Sequence, residues 1–209
     1  LAQLKERAEK AFQENRIAFV SVRTLGTPRR MTMLVKDLAE KQADITSENR
    51  GPSVKIAFDA DGKPTKAAQG FARGQHVAPE DLVQKDGYVY AVVHETGKET
   101  TELLTTLLPE LICALSFPNN MRWGSLEFKF IRPIRWLVAL YDREVIPFEV
   151  ANVASGRVSR GHRFLSQGEF TIAAADDYEE DCEAQFIIVD PEKRKAMIRA
   201  QIEAVAEEN

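Results

Sequence analysis

This chain of 209 residues lacks the usual signatures of an independent catalyst. It has no Gly-x-Ser-x-Gly elbow for a serine nucleophile. It has neither a Walker-type phosphate loop nor a dinucleotide fingerprint. Its two cysteines, Cys113 and Cys182, show no metal-ligand spacing. So few thiols exclude a disulfide framework and point to a reducing compartment. The three histidines, His76, His94 and His162, have no sequence partner at metal or base spacing. No apolar run approaches the roughly 20 residues that a membrane span requires. The acidic run Asp176-Asp177 with Glu179-Glu180-Asp181 reads as a solvated helix face. No internal repeat, low-complexity stretch or Ser/Gly linker interrupts the chain. It opens on Leu1 within a helical pattern and closes on Glu207-Glu208-Asn209, so a fragment of a longer protein is expected.

What is abundant is arginine, in one place. Residues 119–164 hold eight basic side chains, seven of them arginine, against four carboxylates. The segment is net positive within a chain of formal charge −4. Both tryptophans, Trp123 and Trp136, lie inside it, each directly after an arginine. Arginine binds phosphate bidentately and stacks on bases and rings. A local patch of this kind in an acidic protein fits contact with an anionic partner. Structural ion pairs and a protein interface are the other readings of the same residues. On a continuous strand Arg132 and Arg135 point to opposite faces unless Pro133 breaks it.

Helical and strand patterns are intermixed without a βαβ rhythm, which predicts an α+β fold. It should hold a mixed, largely antiparallel sheet with flanking helices. A smaller α+β lobe, residues 51–118, is inserted in a main body of residues 1–50 plus 119–209. The expected elements include an N-terminal helix to Asn15 and a hairpin over 17–38, then a loop at 46–53 and a strand at 54–58. A turn at 59–62 and a helix over 64–73 follow, and Asp86-Gly87 marks a second hairpin. A helix over 99–115 should be broken or kinked at Pro109. Strands are expected at 126–131, 134–141, 145–150, 170–173 and 186–189. Residues 174–184 read as a helix. Asp190-Pro191 caps a last helix with Ile198, Ile202 and Val205 inward. Trp136-Leu137-Val138-Ala139-Leu140 reads as core. Residues 156–161 read as an arginine-bearing loop, and Phe164 as the anchor of the turn after it.

An ordered series of motifs narrows the reading. Thr27-Pro28-Arg29-Arg30, Gly51-Pro52 and Ala57-Phe58-Asp59 come first. Gly62-Lys63-Pro64-Thr65-Lys66-Ala67-Ala68 and Gly70-Phe71-Ala72-Arg73 follow. Then come Phe117-Pro118, Met121-Arg122-Trp123-Gly124, Phe130-Ile131-Arg132-Pro133-Ile134-Arg135-Trp136-Leu137 and Gly161-His162-Arg163-Phe164. The series resembles the N-terminal portion of the β subunit of bacterial-type glycyl-tRNA synthetase, the heterotetrameric α2β2 form, over essentially the whole chain.

The resemblance implies a non-catalytic, tRNA-binding and subunit-organising part of a cytoplasmic glycine–tRNA ligase. Its implied partners are the α subunit, glycine tRNA and the rest of the β subunit, without a membrane. ATP and magnesium would act at the α subunit, with no cofactor in this chain, which alone should be inactive. Arg122, Trp123, Arg135, Arg157, Arg160, His162 and Arg163 are the expected RNA contacts. The alternative is a purely structural scaffold on the α subunit, with the motif arginines in internal ion pairs. A hydrolase of mischarged product has no motif in its favour.

Overall fold

The computed structural model describes residues 1–59 and 62–207. Ala60 and Asp61, within the turn expected over 59–62, lie outside the described residues, as do Glu208 and Asn209. The architecture is α+β. In chain order the elements begin with α1 (Ala2–Glu14), β1 (Ser21–Thr27), β2 (Arg30–Lys36) and β3 (Ile45–Ser53). They continue with α2 (Val54–Ala57), α3 (Lys66–Gly74), β4 (Val83–Lys85), β5 (Tyr88–Glu95) and α4 (Thr100–Cys113). Short strands follow: β6 (Met121–Arg122), β7 (Lys129–Phe130), β8 (Leu137–Val138), β9 (Leu140–Tyr141), β10 (Glu144–Val145) and β11 (Glu149–Val150). Last come β12 (Val153–Gly156), β13 (Val158–Arg160), β14 (Glu169–Thr171), α5 (Tyr178–Ala184) and α6 (Pro191–Glu207). The described strand pairs are antiparallel except β8 with β12, and they form separate small sheets.

Two compact units divide the chain: Leu1–Glu40 with Glu99–Asn209, and Lys41–Lys98. Both boundaries fall earlier than the expected 51 and 118. The reason is α4, whose Leu104 and Leu111, with Leu115 beyond it, join Leu4, Ala8 and Phe12 of α1 in the core of the first unit. Burying these leucines on α1 holds α4 in one piece through Pro109, although proline costs a helix interior about 3 kcal/mol.

The second unit is the sheet β3-β5-β4 with α2 and α3. Val89 and Ala91 of β5 face Ala57, Ala68 and Ala72. The loop expected at 46–53 is strand β3, and the strand expected at 54–58 is the helical turn α2. The polar residues of β3 are satisfied by ladder bonds to β5 rather than by apolar alternation, with an irregularity between Arg50 and Ser53.

In the first unit, β1 pairs with β2 from Ser21↔Lys36 to Thr27↔Arg30, so the turn falls on Thr27-Pro28-Arg29-Arg30. A second core gathers Leu25, Ile172, Tyr178, Cys182, Ile187 and Val189. The strand expected at 186–189 does not form: Phe186 sits in a turn with φ +60°, residues 187–189 belong to no described strand, and the stretch is tied to β1 by the Gly26 N–H donating to the Val189 carbonyl at 3.0 Å. Asp190 caps α6 by accepting the Glu192 and Lys193 N–H groups at 2.8 and 3.3 Å. These bonds hold its carboxyl below the usual carboxylate range. Arg23 bridges Glu179 and Asp190. The inward face expected for α6 is a correction: Ile198 and Ile202 are 50% and 63% exposed, and Val205 is exposed too. No described helix is long and apolar enough to cross a membrane.

Tyr178 is buried, shares a 2.7 Å hydrogen bond with Thr32, and is pushed up to about 12 by its burial. Its neutral form is the one the fold favours. That contribution is complete below about pH 10 and is lost as pH rises toward about 12. Urea unfolding of the full-length subunit should therefore show wild type losing about 2 kcal/mol more than Tyr178→Phe across that window. Parallel curves for the two proteins would contradict it.

Candidate nucleic-acid interface

The arginine-rich segment folds mostly as irregular chain between very short strands. Residues 131–136 belong to no strand. Pro133 breaks the ladder, so the strand alternation that would have split Arg132 from Arg135 does not operate. Trp136, expected in the apolar core, is half-buried beside two cations. The guanidiniums of Arg30 and Arg160 lie 5.3 and 5.5 Å from its ring centroid, within cation–π range. Arg30 Nη2 also donates to the Arg160 carbonyl. Burial pulls Arg30 down from its ordinary value, and its Nε has no hydrogen-bond partner among the described residues. This stack joins the β1–β2 turn, the 131–136 segment and β13.

Arg160 stands opposite Glu169 on β14 and pairs with it at 3.2 Å. The expected loop at 156–161 is therefore largely strand, and the true loop is residues 161–168, joining β13 to β14. That loop is tightly tied. The Gly161 N–H donates to the Gly168 carbonyl at 2.6 Å, and the His162 N–H to the Gln185 carbonyl at 3.0 Å. His162 Nδ1 accepts the N–H groups of Phe164 and Leu165 at 3.3 and 3.2 Å. Ser166 packs so closely that a Cβ on Gly161 would collide with its hydroxyl, and Gly168 has φ +112°. Both positions therefore require glycine. Within this loop His162 does a local structural task, and the exposed Arg163 lies beside the Phe164 ring, 6.0 Å from its centroid.

The other expected residues lie apart from the stack. Arg157 donates to the carbonyls of Ala173 and Arg143 at 3.1 and 2.7 Å, and to Ile172 at 3.4 Å. It clamps chain turns together. Arg122 pairs with Glu127 at 3.3 Å on an exposed hairpin. The Trp123 indole N–H donates to the Phe130 carbonyl at 3.0 Å. Among the described residues no hydrogen bond, ion pair or ring contact joins this hairpin to Trp136. Composition alone missed Arg30, because its role depends on a ring more than a hundred residues away. The signal available was the Thr-Pro-Arg-Arg turn, which puts Arg29 beside it.

Arg29, Arg132, Arg135 and Arg163 are exposed and, among the described residues, have no carboxylate partner. Arg29 and Arg135 directly adjoin the two halves of the stack, and Arg163 begins three residues past Arg160. A rigid ring-and-cation centre with free guanidiniums beside it suits a polyanion. No described cluster of His, Cys, Asp and Glu could hold a metal ion.

A family model described as glycyl-tRNA synthetase beta subunit matches residues 1–209. The chain belongs to the glycyl-tRNA synthetase β-subunit family. The glycine–tRNA ligase beta subunit of Desulfitobacterium hafniense (strain DSM 10664 / DCB-2) is 50% identical over 210 residues, 99% of this chain and 30% of that relative. The same subunit of Lactiplantibacillus plantarum is 49% identical over 99% of the chain and 30% of the relative. That of Citrifermentans bemidjiense is 46% identical over 100% of the chain and 31% of the relative. The chain thus spans about 30% of the length of these glycyl-tRNA synthetase β subunits.

Arg157 and Arg135 should behave oppositely in this β-subunit family member. Arg157→Met removes the carbonyl clamp and should lower stability by about 1–3 kcal/mol. Arg135→Ala should stay within about 0.5 kcal/mol of wild type. Thermal melts of the two full-length variants check this, and equal losses would contradict it.

Proposed function

We propose that this chain is a tRNA-binding and subunit-organising part of a glycine–tRNA ligase β subunit. It works with an α subunit, where glycine would be activated with ATP and magnesium, and takes no catalytic part itself. The supporting observation is the group of carboxylate-free arginines beside the Trp136 stack in a member of this family. On this reading Arg135 and Arg163 meet phosphates directly, together with Arg29. Arg160 and His162 hold the surface in shape, and Arg157 braces it from behind. Arg122 and Trp123 form a separate contact on the β6–β7 hairpin. Phosphate contacts release counterions, so affinity should fall steeply with salt.

Titration of labelled glycine tRNA against the α2β2 holoenzyme tests this. Arg135→Ala and Arg163→Ala should each weaken binding and reduce the slope of log affinity against log salt by about 1. Unchanged affinity and slope in both would overturn the RNA role.

A second reading is favoured by α6, where Met197, Ile198 and Ile202 are 41%, 50% and 63% exposed. Such a face suits a protein surface, either the α subunit or the remainder of the β chain. Ile202→Glu in the full-length subunit should then lower α–β association or β stability while leaving the tRNA salt slope intact. No change in either assembly or stability would dismiss that contact.

A further inference from the structure

Phe164 was expected to anchor its turn, and it does the reverse. It is 82% exposed, the highest value among the exposed large hydrophobics, and Leu165 beside it is 61% exposed. A bare phenylalanine on a mobile loop would mean little. This loop is not free to collapse. His162 Nδ1 takes up the backbone N–H groups of Phe164 and Leu165 themselves. Ser166 closes the turn on the His162 carbonyl through both its N–H, at 3.1 Å, and its hydroxyl, at 3.0 Å. Gly161 and Gly168 are bonded across the base, and His162 is bonded to Gln185. The backbone that carries the ring is therefore fixed before any partner arrives, which removes part of the ordering cost of binding.

The chemistry around the ring selects the partner. Arg163 lies next to it with no carboxylate among the described residues, and Arg160 (itself paired with Glu169), the Trp136 stack and Arg29–Arg30 follow behind the loop. A protein partner would have to bring acidic groups for these cations and an apolar pocket for the ring. An unpaired nucleotide brings both in one unit: a flat base for the phenyl face and a phosphate for the guanidinium.

We propose that Phe164 is a stacking platform for one unpaired nucleotide of the RNA, with Arg163 on the adjoining phosphate. This rests on the RNA-binding reading given above and specifies which part of the RNA meets the loop. Leu165 widens the apolar shelf, and His162 positions both residues through their N–H groups.

The test uses α2β2 holoenzyme and a set of glycine tRNAs, each with 2-aminopurine at one single-stranded position. At one position wild type should quench the probe by stacking. Phe164→Ala should abolish that quench and weaken affinity roughly 5- to 100-fold, with the salt slope unchanged because no charge is removed. Phe164→Trp should retain the quench. Circular dichroism should match wild type for both variants, since the side chain is exposed. If the arginine variants alter the salt slope while Phe164→Ala changes neither affinity nor fluorescence, stacking is overturned and the RNA reading stands. If Phe164→Ala separates the α and β subunits with RNA binding intact, the loop tip is a protein contact and the proposal falls. If neither the arginine variants nor Phe164→Ala affects RNA binding, the RNA reading fails and takes the stacking with it.

Discussion

The contact of Trp136 with Arg30 and Arg160 is the one on which the candidate surface depends. Arg30 is a cation drawn out of water without a carboxylate. Its compensation is the negative face of an indole and a backbone carbonyl, an arrangement that offsets desolvation without neutralising charge. The consequence is electrostatic. Three remote pieces of chain are joined, and although Arg160 is paired with Glu169, the Arg30 charge is held without a carboxylate among the described residues. A carboxylate in Arg30's place of contact would have held the same pieces together and cancelled part of the charge offered to a polyanion.

Across the chain, two jobs are divided among like residues. Arg23, Arg157 and Arg194 spend their donors on carboxylates or carbonyls within the fold. Arg29, Arg132, Arg135 and Arg163 do not. A count of charges treats both groups equally, so it overstates what is available to a partner. The loop at 161–168 adds the complementary element. There His162 is used for shape, which frees Phe164 from packing and leaves it at the surface.

Features set by local chemistry were legible in the sequence. Asp86-Gly87 made its hairpin turn, with positive φ at both residues, and Asp190 capped α6. The alternation of β1 with β2 was likewise readable. Features set by distant packing were not. A polar stretch, Ile45–Ser53, is a strand because β5 runs beside it. The α4 helix belongs to the first unit and survives Pro109 because α1 covers its leucines. The apolar residues of α6 looked like core because their spacing is helical, yet spacing says nothing of what covers them. Of the seven candidate residues, periodicity could not distinguish Arg157, bound to three carbonyls, from Arg135, bound to none.

The proposed tRNA-binding surface is the one around the Trp136 stack. Hydrogen–deuterium exchange of the α2β2 holoenzyme with and without glycine tRNA measures that location directly. Slowed exchange is expected in residues 29–30, 131–136 and 161–168 when tRNA is bound. Unchanged exchange in all three segments, with protection appearing elsewhere on the β subunit, would contradict it.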